Sequence, residues 1–281
     1  MKIPNLFIVG APKAGTSFLY QQLKVHPELF FSKVKELNHF SDQEISESGS
    51  YYKDFRVSTL DSYLKFYKSA NGERYLTDCS VSYFAYPEVA KKIYAFNDQA
   101  KVVIILRNPI KRAYSHYLMD KRMGYTQKPF NKYLSNENDP HYHSYVHNSL
   151  YHRNVKNYMD IFGRDQVCVL FLEDIELTIN KLFDFLGVEG QLVDTSSKVN
   201  QNKKPRNVVS RYLQKNRDIT SKLKLFIPEQ VIRNLNRLLY KKAETERISH
   251  GDQQLLYNLL KSDIDALESL VNVNVKELWS F

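Results

Sequence analysis

Short uninterrupted apolar runs alternate along the chain with longer stretches in which apolar residues recur every three or four positions. The runs are Leu6-Val9, Leu29-Phe31, Tyr75-Leu76, Val102-Leu106 and Val167-Leu172. Lacking polar alternation, they read as strands covered on both faces, the kind found in parallel sheets. Residues near 17–25, 60–69, 87–96, 109–123, 150–163 and 177–187 carry helical spacing, so the order is β-α-β. Pro4, Pro27, Pro87, Pro109 and Pro140 punctuate the boundaries. Residues 125–148, rich in Tyr, His and Asn, predict an irregular loop that either lines a cleft or is a plain surface excursion. The pattern predicts one α/β domain with a central, mainly parallel sheet flanked by helices, its core at about 3–206 and a helical extension at about 207–281.

Glycine placement gives the first strand chemical content. Leu6-Val9 runs into Gly10-Ala11-Pro12-Lys13-Ala14-Gly15-Thr16-Ser17, and the helix that follows turns Phe18, Leu19 and Leu23 inward. A glycine-bearing turn at a helix N-terminus presents backbone N–H groups to an anion, so Lys13, Ala14, Gly15, Thr16 and Ser17 form a P-loop-type phosphate cradle. The plain alternative for Lys13 and Thr16 is a helix cap beside a solvated lysine. An ATP-type loop places its lysine after the last glycine, whereas Lys13 precedes Gly15 by two positions. The run Val102-Leu106 ends in Arg107-Asn108-Pro109, with no acid there to hold magnesium. An arginine at that strand end suits a second phosphate held without metal, or else pairs with a carboxylate. Ser115, two turns into the helix opened by Pro109, is its partner for that phosphate, or an ordinary mid-helix serine.

Gly10 to Ser17, Lys35-Glu36-Leu37-Asn38-His39-Phe40 and the run Arg107 to Tyr117 together resemble the sulfotransferases that use 3′-phosphoadenosine 5′-phosphosulfate (PAPS), in particular the carbohydrate-modifying, heparan-type branch and its bacterial members. Similarity continues through Asp78 to Phe84, Leu150-Tyr151, Phe171 to Ile175 and Phe185-Leu186-Gly187, and covers roughly residues 5–206. The resemblance implies that Lys13, Ala14, Gly15, Thr16 and Ser17 hold the 5′-phosphosulfate, with Lys13 also on the departing phosphate oxygen, and that Arg107 and Ser115 hold the 3′-phosphate. Glu36 is then the base taking the acceptor's proton, with Lys35 and His39 as substitutes. It further implies Tyr151 as an adenosine contact, and Lys203, Lys204 and Arg206 as a basic loop over the 3′-phosphate. Cys79 stands where several relatives carry a lysine, and Asn38 where several carry a histidine. The expected reaction moves a sulfuryl group to a hydroxyl or amine of a glycan, glycolipid or small alcohol, without a metal.

Composition fits this reading, since 281 residues that are 43% hydrophobic and 13% aromatic can bury a large core. Cys79 and Cys168 lie among apolar residues and predict buried free thiols. With no signal peptide and no long apolar span, the chain is expected to be either a cytoplasmic, bacterial-type member or a form from which an N-terminal membrane anchor has been removed. Its net charge of +9 is local: residues 201–250 hold 13 Lys+Arg and 4 Asp+Glu, which leaves 40 − 13 = 27 cations and 31 − 4 = 27 anions elsewhere. In that segment Val208, Val209, Tyr212 and Leu213, then Val231, Ile232, Leu235, Leu238 and Leu239, predict helices that pack one face and leave a basic face outward. Such a face is either merely solvated or meets an anionic polymer or membrane surface, with no specific nucleic acid implied. Two rival readings stay open: a P-loop kinase using ATP, and a non-catalytic polyanion-binding module.

Overall fold

The structure is a computed structural model and describes residues 2–48, 51–52, 54–190, 203–216, 220, 222, 227, 229–242 and 246–281. Its centre is a five-stranded sheet of β1 (Leu6–Gly10), β2 (Leu29–Phe31), β3 (Tyr75–Asp78), β4 (Lys101–Leu106) and β5 (Val167–Phe171). The strand order is β2-β3-β1-β4-β5 and every pairing is parallel. All five predicted apolar runs are strands of this sheet.

The period-two pleat divides each central strand between two buried layers. Phe7, Val9, Val102, Ile104 and Leu106 face one layer, and Leu6, Ile8, Val103 and Ile105 the other. Helix α1 (Thr16–Leu23) covers the second layer with Leu19 and Leu23. The first layer takes α4 (Glu88–Phe96), α5 (Pro109–Met123) and α7 (His152–Phe162). Two shorter helices, α2 (Asp42–Glu47) and α3 (Leu60–Lys65), lie between β2 and β3 in the chain. Helix α8 (Ile175–Leu186) returns to the layer of α1.

The chain leaves β1 toward β2 and β3 on one side and toward β4 and β5 on the other. Their carboxyl ends therefore form a crevice between β1 and β4, where open parallel sheets bind ligands. The sequence motifs after both strands open onto it.

Two expectations are corrected. Residues 125–148 are not an irregular loop: they contain a 3₁₀ turn at Phe130–Tyr133 and a helix α6 (Pro140–Tyr145). Buried Phe130, Tyr133, Tyr142 and Tyr145 drive this folding, and Asp139 caps α6 by accepting from the His141 N–H at 2.8 Å. The second correction concerns the basic segment, which contains β6 (Lys203–Pro205), α9 (Val208–Lys215), α10 (Glu229–Leu239) and β7 (Tyr240–Lys242). Its strands pair antiparallel with each other, apart from the main sheet. The expected packed face is instead largely exposed at Val208, Val209, Tyr212, Val231, Leu235 and Leu238.

The extension continues into α11 (His250–Val271) and α12 (Val275–Trp279). Leu256, Leu260, Ile264, Leu267, Val275 and Trp279 of these helices join the first core layer. Cys79 and Cys168 are buried free thiols, as expected; burial pushes them up to about 12 and about 11.

Candidate active site

The turn after β1 is shaped around a backbone that carries no side chain at its tightest point. Gly15 has φ 104°, a conformation that favours glycine, and a Cβ there would press on Leu172 Cδ1 at 2.7 Å. Gly15 also occupies the N-cap of α1 with no side-chain cap bond. The N–H groups of Thr16 and Ser17, at the first turn, point out of the helix end, where anions are favoured. Ala14 is buried beneath the turn, and Ala11 N–H donates to the Ile105 carbonyl at 2.7 Å, fixing the turn to β4.

Lys13 adopts φ 68°, unusual for a residue with a side chain. Its ammonium lies 3.6 Å from Met119 Sδ on α5, and its carbonyl accepts from Arg107 Nη1 at 3.2 Å. Ser115 lies one turn before Met119 on the same face of α5.

Arg107 is half-buried at the end of β4, and burial draws its guanidinium below the ordinary value while Glu173 and Tyr151 pull the other way. Among the described residues no carboxylate comes within 4.0 Å of it in an ion pair. Glu173, which follows β5, is engaged elsewhere: it accepts from Asn108 N–H at 2.8 Å and from Trp279 Nε1–H at 3.1 Å. A partly desolvated arginine beside an uncapped helix start fits an anion from outside the chain.

The second motif brings a carboxylate to the same crevice. Lys35 Nζ lies 3.4 Å from Thr16 Oγ1 and 2.5 Å from Glu36 Oε1, with the two side chains 15% and 27% exposed. Glu36 itself has φ 66°, and its N–H donates to the Cys79 carbonyl at 3.0 Å.

A buried network fixes this turn. Asp78 accepts from Tyr63, Tyr83 and Ser80 hydroxyls at 2.7, 2.8 and 2.6 Å. Ser80 Oγ in turn accepts from Asn38 N–H at 3.1 Å, and the Asn38 amide donates to the Phe55 carbonyl at 2.8 Å. Burial pushes the Asp78 carboxyl upward, opposed by these hydroxyl donors.

His39 is placed differently from Glu36. Its Nδ1 donates to the Val57 carbonyl at 2.6 Å, and its ring stacks on Tyr63 at 4.5 Å and 16°. Tyr151 is likewise inside, 1% exposed, its hydroxyl donating to the Arg107 carbonyl at 3.0 Å. It supports Arg107 from behind. Arg206 is exposed, with its N–H on Leu239 and Nε on the Tyr240 carbonyl. The Lys203 and Lys204 side chains lie outside the described residues.

Sequence reasoning missed the clamp behind Arg107. The Asn108 side chain caps α5 at Ile110 and Lys111 and donates to the Trp279 carbonyl at 3.0 Å. Asp263 of α11 accepts from Tyr151 N–H at 2.6 Å and from His152 N–H at 3.1 Å. The available signal was Glu173, an acid just past the strand adjacent to β4.

The family model described as the sulfotransferase domain matches residues 4–242. Heparan sulfate glucosamine 3-O-sulfotransferase 3B1 of Homo sapiens is 29% identical over 116 residues, 41% of this chain and 26% of that protein. Carbohydrate sulfotransferase 15 of Mus musculus is 23% identical over 246 residues, 66% of this chain and 44% of that one. The chain therefore spans less than half the length of these relatives. A crystal structure of a sulfotransferase from Alicyclobacillus acidocaldarius aligns over 100% of both chains, with a TM-score of 0.75 and 25% identity.

Proposed function

The chain belongs to the sulfotransferase domain family, and from that premise we propose that it moves a sulfuryl group from PAPS to a hydroxyl or amine of a carbohydrate-type acceptor, a glycan or glycolipid. The observation that carries this reading is the single side chain of Lys35, which touches Thr16 of the phosphate turn and Glu36 together. Donor cradle and carboxylate thus stand within one side chain's reach.

The residues present suit the donor. Thr16 and Ser17 N–H groups at the uncapped helix start would receive the 5′-phosphosulfate. Lys13 stabilises charge developing on the departing phosphate oxygen, and Lys35 neutralises the equatorial oxygens of the group in transit. Arg107 and Ser115 bind the 3′-phosphate, Tyr151 and the Asn108–Trp279 contact hold Arg107 in place, and Lys203, Lys204 and Arg206 form a basic loop over that phosphate. Bound PAPS supplies the activated sulfuryl group, which an acceptor oxygen attacks in line. Glu36 takes the acceptor's proton, and the buried Asp78–Ser80–Asn38 network keeps its turn in register. The carbohydrate acceptor rests on the names of the relatives, which act on heparan sulfate and carbohydrates.

Incubation with radiolabelled PAPS and a panel of glycans and glycolipids tests the reaction directly. Calorimetry tests the donor site: adenosine 3′,5′-bisphosphate should bind at least about tenfold more tightly than AMP, about 1.4 kcal/mol, with EDTA present. Equal affinities, or activity that requires magnesium and ATP, would replace this reading with a kinase.

A further inference from the structure

We propose that the β6–α9/α10–β7 segment docks the enzyme on an anionic phospholipid surface, independently of the sulfuryl-transfer reading. Pro205 of β6 pairs with Tyr240 of β7, and Arg206 N–H donates to the Leu239 carbonyl at 2.9 Å. The start of α9 and the end of α10 therefore emerge together from one end of a two-stranded ribbon. The Tyr240 hydroxyl ties them again, donating to the Ser210 carbonyl at 3.3 Å.

The exposed surface of this unit carries apolar side chains at several positions. Val208 is 80% exposed, Leu238 69%, and Val209, Tyr212, Val231 and Leu235 are exposed as well. On α9 only Ser210 is buried among the described side chains. Neighbouring aliphatic side chains at helical spacing lose free energy in water that an apolar phase would return.

Charge selects the phase. Arg206 and Arg211 are exposed on the same unit, α9 and α10 also contain Lys215, Arg233 and Arg237, and residues 201–250 carry the whole of the chain's positive excess. Exposed aliphatic residues and exposed cations on one unit match the boundary between acyl chains and anionic headgroups. A sulfated or acidic polysaccharide would engage the cations but offers no apolar phase for six exposed side chains. No helix among the described residues is long and apolar enough to cross a membrane, so the contact is at the surface. Because α9 touches α5, docking brings the helix of Ser115 and Met119 close to the lipid.

Cosedimentation of the full chain with vesicles of 30% phosphatidylglycerol in phosphatidylcholine should show binding. Pure phosphatidylcholine vesicles, or a Leu235→Ser/Leu238→Ser variant on the mixed vesicles, should bind about tenfold more weakly, because partitioning needs both charge and buried apolar area. Affinity of that variant for adenosine 3′,5′-bisphosphate should be unchanged, which excludes misfolding and separates this test from the donor-site test. Absence of vesicle binding by the unmodified chain would overturn the proposal. So would equal binding by the variant, retention on heparin resin alone, or a lipid-free dimer that the variant abolishes.

Discussion

Lys13, Lys35 and Arg107 at the carboxyl end of the sheet are half-buried and individually anchored, to Met119, to Thr16 and Glu36, and to the Lys13 carbonyl. Arg206 and Arg211 in the ribbon-and-helix segment are exposed instead and stand beside exposed aliphatic residues. The two regions have the same sign of charge and opposite surroundings. Where cations lose water and are fixed by neighbours, each has one geometry and serves one anion. Where they remain solvated, they act by number and their pull weakens with salt. Net charge therefore says little about this protein until it is divided between these places.

The contrast is tested most severely at Glu36, inside the ordered region. Glu36→Gln should lower kcat by roughly 10²- to 10⁴-fold at saturating PAPS, the usual contribution of a general base, with nucleotide affinity nearly unchanged. His39→Phe should cost far less, because the ring is committed to Val57 and Tyr63. A crippled His39→Phe enzyme beside an active Glu36→Gln enzyme would reverse the assignment.

Arg107→Ala comes next in size. It should weaken adenosine 3′,5′-bisphosphate at least about tenfold while changing AMP little, so the ratio of the two affinities falls toward one. An unchanged ratio would mean that the arginine serves only the fold.

A smaller effect is expected from Trp279→Phe, which keeps an aromatic ring of smaller size but leaves Glu173 Oε2 without its donor. A single neutral-donor bond to a charged acceptor is worth about 1.5–3 kcal/mol, and most of that should appear as a lowered melting temperature. A rise of a few-fold in the dissociation constant for the bisphosphate should accompany it, without change for AMP. Loss of stability alone would make Trp279 a packing residue and nothing more.

The least change is expected from Arg211→Ala. Catalysis on a soluble acceptor and bisphosphate affinity should both stay within about twofold, since a solvated charge contributes little to a distant site. A large fall in either would erase the distinction between the two regions.

Much of the fold was legible because its strands are covered on both faces and so read as unbroken apolar runs. The glycine-bearing turn between β1 and α1 was legible through Gly10 and Gly15 after an apolar run, and Arg107 through its place after β4. Helix α6 was missed because its inward residues are tyrosines amid His and Asn, although Asp139-Pro140 carries the cap and first-turn signature of a helix. The exposed faces of α9 and α10 were misjudged for a different reason: periodicity identifies an apolar face but not what covers it. Tyr151, expected as an adenosine contact, packs among the rings of Trp279 and Phe84, 6.2 and 6.1 Å away. No local pattern announces partners so far along the chain.

The bond from Asn108 to the Trp279 carbonyl joins residues 171 positions apart, and that from Tyr151 to Asp263 spans 112. Closing such long loops is among the slower events of folding, and chains emerge from the ribosome amino end first. Strands β1 to β5 and the glycine turn are all synthesised before α11 and α12 exist to brace Arg107. A nascent chain would therefore form its glycine turn well before Arg107 is braced, and the arginine would reach its final setting only once α12 has docked.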